Sequence, residues 1–189
     1  MPINKKVLDK YRKFGAIFIE TGTCSGQGVL SAIAAGFDKV YSIELSRYNY
    51  NVSLKNVGKT PKANLIFGDS AVELPKLLEK LHEPCVFWLD AHFSGGTTAG
   101  KGKPAPLLDE LEAIARHDIK HHAILIDDIR IYGDLRYNAL DLDMFKNIEQ
   151  DNETIWPKLL NRLYLINKDY KLSMENGFAK DDILVATYE

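Results

Sequence analysis

The chain has 189 residues, of which 46% are apolar and 26% charged, and its formal net charge is −2. This length and apolar content predict a single soluble domain, residues 1–189, with a substantial core. The nearly balanced charge gives no indication of a nucleic-acid partner. The sequence contains neither a signal-peptide pattern nor an apolar run of about 18 residues, so no membrane association is expected. Two cysteines, Cys24 and Cys85, are too few for a disulfide framework and favour a reducing, cytoplasmic location.

The first part of the chain predicts a strand, a glycine-rich turn and a helix. The spacing of apolar residues predicts a short leading helix over residues 1–14. An apolar run over residues 16–20 then ends at Glu20. The turn has the pattern Gly22-x-x-x-Gly26-x-Gly28, and the following helix stops at Gly36. Strand, glycine turn and helix form the opening unit of a nucleotide-binding α/β fold, in which the free N–H groups of the helix face a ligand. The alternative is a tight turn without a ligand.

The remaining chain alternates between strand and helix patterns. Apolar runs predict strands over residues 39–44, 63–67, 85–89 and 123–126, and helices over residues 46–58, 70–81 and 107–115. In the first of these helices Ser46 is the expected N-cap and Leu45, Tyr48 and Val52 are the expected apolar face. Ser70 and Glu73 have the spacing of a capping box at the start of the second.

The C-terminal part differs, because a helix over residues 154–167 precedes two strands, 170–174 and 182–188, separated by a turn at residues 176–177. The expected fold class is therefore α/β, with a three-layer, Rossmann-like open sheet that is mostly parallel and carries an antiparallel C-terminal hairpin. His117, His121 and His122 flank the fifth strand and are expected to be solvated.

Carboxylates stand where the predicted parallel strands end. They are Glu20, Glu44, Asp69, Asp90, Asp127 and Asp128. Ligands of open α/β sheets bind beyond the carboxyl ends of the strands, so these acids are expected to project toward one edge. Neighbouring carboxylates raise each other's pKa, a cost that a bound ligand or cation would relieve. The alternative for a single acid, above all Asp69 or Asp128, is a helix cap.

The ordered set Glu20-x-Gly22-x-x-x-Gly26, Glu44, Gly68-Asp69-Ser70 and Asp90 resembles the motifs of class I S-adenosylmethionine-dependent methyltransferases. The resemblance extends from about residue 14 to the end, including the C-terminal hairpin. It implies a cofactor site in which Glu20 and the backbone from Gly22 through Thr23 to Gly26 hold the methionine part of S-adenosylmethionine. It further implies that Glu44 binds the ribose, that Asp69 and the Ser70 backbone bind the adenine, and that Asp90 belongs to the same site.

Asp90 and the pair Asp127–Asp128 also resemble the acids of the metal-dependent O-methyltransferases of the catechol, caffeoyl-CoA and macrocin types. The resemblance implies that these three acids bind Mg²⁺ or a similar cation, which orients a substrate hydroxyl and lowers its pKa. Catechol-type enzymes carry a lysine base where this chain has Phe93, so His92 is the candidate base, with Asp90 as its catalytic neighbour. The alternative for His92 is an ordinary hydrogen-bonding residue.

The sequence thus predicts methyl transfer to a hydroxyl group of a small molecule, with residues 91–105 and 129–152 as loops on the substrate side. One alternative is a nicotinamide-dependent oxidoreductase, which shares Glu44 but requires the glycine spacing G-x-G-x-x-G. Another is a non-catalytic module that binds the cofactor. A sheet edge with few covering helices favours a homodimer.

Overall fold

The fold is a seven-stranded mixed sheet in the computed structural model, which describes residues 3–92, 105–132 and 155–188. The strands are β1 (Ile17–Thr21), β2 (Lys39–Glu44), β3 (Ala63–Phe67), β4 (Cys85–Leu89), β5 (Ala123–Ile126), β6 (Lys171–Glu175) and β7 (Ile183–Thr187). Their order is β3-β2-β1-β4-β5-β7-β6, and the first five strands run parallel. β7 is antiparallel to both of its neighbours, β5 and β6.

Six helices cover the two faces of this sheet within the described residues. They are α1 (Lys5–Tyr11), α2 (Gln27–Ala34), α3 (Arg47–Val57), α4 (Ser70–Leu78), α5 (Leu107–Arg116) and α6 (Trp156–Ile166), with 3₁₀ turns at Arg12–Phe14 and Ile129–Tyr132. Side chains of α4, α5 and α6 form one core with Phe87 of β4, whereas those of α1 and α2 form the other with Val86 and Trp88. The predicted three-layer, mostly parallel α/β sheet is therefore confirmed.

The predicted bounds of β2, β3, β4 and β5 agree with the structure. β4 is buried along its whole length, as its continuous apolar sequence predicts for the centre of a parallel sheet. Cys24 and Cys85 are both free thiols, as expected. None of the helices in the described ranges combines the length and apolar composition that a membrane crossing requires. The predicted substrate-side loops fall largely on residues 93–104 and 133–154, which lie outside the described part of the chain.

The apolar face predicted for α3 is wrong. Leu45 and Tyr48 are exposed, whereas the buried residues of α3 are Asn49 and Ser53. This helix packs closely against the glycine turn, since a Cβ on Gly26 would lie 2.8 Å from Cγ2 of Val57 and 3.3 Å from the Cβ of Ser53.

The capping box predicted from Ser70 and Glu73 for α4 is wrong. The N-cap is Asp69, whose Oδ1 accepts a hydrogen bond from the Ala71 N–H at 3.0 Å, and Ser70 is already the first helical residue. At α3 the predicted cap is confirmed, because the side chain of Ser46 accepts a hydrogen bond from the Asn49 N–H.

The histidines beside β5 also differ from expectation. His121 is exposed as expected, but His122 is fully buried and His117 is nearly so. The two buried rings bind each other, with His117 Nδ1 3.0 Å from His122 Nε2. They lie at the amino ends of the strands, opposite the edge that carries the acids.

Candidate active site

The turn after β1 is held between the neighbouring strands. Gly22 has a φ of +86°, and a Cβ at this position would lie 2.4 Å from the carbonyl oxygen of Asp90, so the position requires glycine. Its N–H donates to the carbonyl of Ile43 at 2.9 Å. The turn therefore lies where the ends of β1, β2 and β4 meet.

The carboxylate of Glu20 lies beneath this turn and is only 2% exposed. Its Oε2 accepts a hydrogen bond from the Ser42 hydroxyl at 2.6 Å, and that hydroxyl lies 2.6 Å from the hydroxyl of Thr23. A Cβ on Gly28 would lie 1.7 Å from Oε1 of Glu20. The third glycine of the motif is thus needed because the carboxylate occupies the space of a side chain.

Glu44 joins the end of β2 to the turn. Its Oε2 accepts a hydrogen bond from the Cys24 N–H at 2.8 Å, and its Oε1 accepts one from the Ser46 N–H at 2.7 Å. Burial raises the pKa of Glu44 although these backbone bonds oppose the shift. Burial also raises the pKa of Glu20 to about 8, with smaller contributions from the charges of Asp90 and Glu44. A cationic ligand bound at this edge would stabilise the charged forms of these two carboxyl groups.

A buried carboxylate that the sequence analysis missed, Glu110 on α5, lies close to the same edge. It is 1% exposed, and the neighbouring hydroxyls of Ser70 and Thr21 lower its pKa against the larger effect of burial. Thr21 Oγ1 in turn accepts a bond from the Asp90 N–H at 3.3 Å. The signal for Glu110 was available in the sequence, since the residue follows Leu107 by three positions and lies on the apolar stripe of its helix.

Asp90 and Asp128 lie on either side of the His92 ring. His92 Nδ1 is 3.2 Å from Asp90 Oδ1, and His92 Nε2 is 3.1 Å from Asp128 Oδ2. Burial alone would lower the pKa of His92, but hydrogen bonds from its ring to Asp128 and Asp90 raise it to about 9. The ring therefore carries a proton at neutral pH in this arrangement.

Two further charged residues lie next to Asp128. Arg130 Nη1 is 2.5 Å from Asp128 Oδ1 and also contacts Asp182 Oδ2. Asp182, which precedes β7, is fully buried and was missed by the sequence analysis. Burial and the charges of Asp90 and Asp128 raise the pKa of Asp127 to about 8. We call Asp90, His92, Asp127, Asp128, Arg130 and Asp182 the acidic centre.

The acidic centre has the donors that a divalent cation requires. Ligand atoms lie within 4.8 Å of one another in two groups, which share Asp128: Asp90, His92 and Asp128, and Asp127, Asp128 and Asp182. Oxygen donors of this kind suit Mg²⁺. The four carboxylates lie around the side chains of His92 and Arg130. The residues therefore fit a divalent cation, which would compete with His92 and Arg130 for the same carboxylates.

The predicted site residues thus come together along one edge, with Asp69 as a helix cap at its margin. No protein-family model matches the sequence, and no curated protein matches it. Solved structures do match. A putative caffeoyl-CoA O-methyltransferase from Staphylococcus aureus superposes with a TM-score of 0.63 at 12% identity, over 97% of this chain and 81% of that one.

An O-methyltransferase from Bacillus cereus in complex with SAH superposes with a TM-score of 0.61 at 14% identity, over 98% of this chain and 78% of the other. A SAH-bound methyltransferase from Podospora anserina gives a TM-score of 0.59 at 16% identity, over 98% and 76%. The chain has the Rossmann-like methyltransferase fold. In this methyltransferase fold the acids lie at the carboxyl ends of the parallel strands, where ligands of open α/β sheets bind.

Proposed function

We propose that this protein is an S-adenosylmethionine-dependent methyltransferase that acts on a hydroxyl group of a small molecule. The observation that carries the proposal is the arrangement of Glu20 and Glu44 around the glycine turn in a methyltransferase fold. S-adenosylmethionine carries a positive sulfonium, which would stabilise the charged forms of these buried carboxyl groups, whose pKa values burial raises.

Each predicted cofactor residue has a role that its position supports. Glu44 retains lone pairs on both oxygens for the ribose hydroxyls, beyond those that accept the two backbone N–H groups. The backbone of residues 22–26 and Glu20 bind the methionine part. Asp69 and Ser70, at the start of α4, bind the adenine.

The acidic centre receives the acceptor hydroxyl. Methyl transfer forms a bond between the acceptor oxygen and the methyl carbon, breaks the bond between that carbon and sulfur, and leaves neutral S-adenosylhomocysteine. Because the His92 ring already carries a proton, the hydroxyl proton passes to the carboxylate of Asp90, which lies 3.2 Å from His92 Nδ1 and whose pKa is raised by burial. A divalent cation held by Asp90, Asp127 and Asp128 would lower the pKa of the acceptor hydroxyl.

Calorimetric titration tests the cofactor assignment. Wild-type protein should bind S-adenosylmethionine, and Glu44→Ala should weaken binding at least about tenfold, the loss expected when a charged hydrogen-bond acceptor is removed. Glu79→Ala removes an exposed carboxylate elsewhere and should bind like wild type. NADH is titrated in parallel, and binding of NADH in place of the adenosyl ligands would favour the oxidoreductase.

The cation is tested by substitution of two of its proposed ligands. Asp127→Asn with Asp128→Asn should abolish any Mg²⁺ stimulation of radiolabelled methyl transfer into a mixture of small hydroxyl compounds, while the affinity for S-adenosylhomocysteine stays within about threefold of wild type. Activity that is equal with Mg²⁺ and with EDTA would remove the cation from the proposal. S-adenosylmethionine binding without any transfer would favour a non-catalytic cofactor-binding module.

A further inference from the structure

Glu110 is a buried carboxylate that the proposed reaction does not use. It lies in the first turn of α5, beside Leu107 and Leu111, which belong to the apolar core. Its Oε1 is buried and has no hydrogen-bond partner among the residues that the structure describes. Such an arrangement costs stability, and groups of this kind concentrate at functional sites.

The other contacts of Glu110 connect three parts of the sheet edge. The hydroxyls of Ser70 and Thr21 lie next to the carboxylate and lower its pKa against the larger effect of burial. Thr21 Oγ1 also accepts the Asp90 N–H at 3.3 Å, in addition to the Thr21 carbonyl, which accepts it at 3.2 Å. One side chain of α5 thereby links the ends of β1 and β4 with the start of α4.

Each linked residue adjoins the candidate cofactor site. Thr21 directly precedes Gly22, and Ser70 directly follows Asp69. We propose that Glu110 is a positioning residue for S-adenosylmethionine, which holds these two segments at the spacing that the cofactor needs. This inference rests on the proposed function.

The charge of Glu110 contributes in addition to its hydrogen bonds. Burial raises the pKa of Glu110 to about 7, and the charges of Asp69 and Asp90 add to the shift. A carboxylate close to the cofactor attracts the positive sulfonium of S-adenosylmethionine but not the neutral sulfur of S-adenosylhomocysteine. Removal of the charge should therefore weaken binding of the cofactor more than binding of the product.

Glu110→Gln tests this, because it keeps the shape of the side chain and removes its charge. Calorimetry at pH 8 should give about tenfold weaker binding of S-adenosylmethionine and about threefold weaker binding of S-adenosylhomocysteine. The melting temperature should stay within a few degrees of wild type, since an amide costs less to bury than a carboxylate. Asp109→Asn, at an exposed acid in the same helical turn, is the matched control and should leave both affinities unchanged.

Thr21→Val provides a second variant, which removes the hydroxyl between Glu110 and Asp90. If Glu110 acts through this hydroxyl, Thr21→Val weakens cofactor binding as well, and the effects of the two substitutions are not additive. If Glu110→Gln does not fold, the affinities of Thr21→Val and Ser70→Ala for the two adenosyl ligands are compared with those of wild type instead.

The outcomes separate this inference from the proposed function. Wild-type protein that binds neither adenosyl ligand would overturn the proposed function. Wild-type protein that binds them, together with Glu110→Gln and Thr21→Val variants of equal affinity, would overturn the role of Glu110 alone. A lowered melting temperature with unchanged affinities would assign Glu110 a purely structural role and would also overturn the inference.

Discussion

Acidification from pH 7 to pH 5 should destabilise the folded chain through His122. The Cys85 N–H donates to His122 Nδ1 at 3.0 Å, so this nitrogen carries no proton. His122 Nε2 then donates to His117 Nδ1, and His117 Nε2 donates to the carbonyl of Leu81 at 2.9 Å. A second proton on His122 would point at the Cys85 N–H, so the folded state resists protonation.

The magnitude follows from the shift in pKa. Burial, with a further contribution from His117, lowers the pKa of His122 from 6.5 to about 3. At a pH between these two pKa values the unfolded chain binds more protons than the folded chain. The free energy of unfolding therefore falls as the pH falls below 6.5. At pH 5 this difference in proton binding lowers the free energy of unfolding by about 2 kcal/mol relative to its value at pH 7.

Other groups shift stability in the opposite direction. The pKa values of Glu20, Glu110 and Asp127 are raised on folding, so these carboxyls favour the folded state as the pH falls toward their unfolded values. The measured dependence of folding stability on pH therefore contains contributions of both signs. A difference between wild type and a variant that lacks His122 isolates the histidine.

His122→Asn is the suitable variant, because the asparagine oxygen can take the place of Nδ1 as acceptor for Cys85. Urea unfolding of both proteins at pH 5, 6, 7 and 8 gives the difference in the free energy of unfolding. The advantage of wild type should shrink by about 2 kcal/mol from pH 7 to pH 5. His82→Asn, at an exposed histidine, should show no such trend. A difference that stays constant within about 0.5 kcal/mol across the range would refute the reasoning.

Two further substitutions test the cofactor edge. Gly28→Ala places a methyl group where Oε1 of Glu20 lies, so it should destabilise the fold by about 2 kcal/mol and weaken S-adenosylmethionine binding. Urea unfolding measures the stability and calorimetry measures the binding. A variant that matches wild type in both measurements would contradict the packing described. Asp69→Ser retains an N-cap for the Ala71 N–H, so it should keep the melting temperature within a few degrees while cofactor binding weakens. Equal binding by Asp69→Ser would make Asp69 a helix cap only.

β1, β4 and β5 were predictable because each contains a short apolar run that stops at an acidic residue. β4 and β5 are buried from end to end, and their sequences contain only apolar residues. The position of Glu20, Glu44 and Asp90 at one edge of the sheet could be predicted from strand direction alone, since parallel strands bring their carboxyl ends together.

What the sequence did not predict depends on contacts between distant segments. α3 turns Asn49 and Ser53 inward because it packs on the glycine turn, which its own apolar pattern does not reveal. His122 is buried because Cys85 and His117 satisfy its ring nitrogens. Composition near a strand end cannot distinguish such a histidine from a solvated one. Asp182 gains its role from Arg130, which lies far away along the chain.

The position of β7 between β5 and β6 determines the order in which the sheet can be completed during translation. The ribosome releases β5 well before β7, so one side of β5 presents unpaired N–H and C=O groups to the nascent chain's surroundings. Asp182, the partner of Arg130, emerges in the same late segment. Premature termination before β7 would therefore yield an aggregation-prone product.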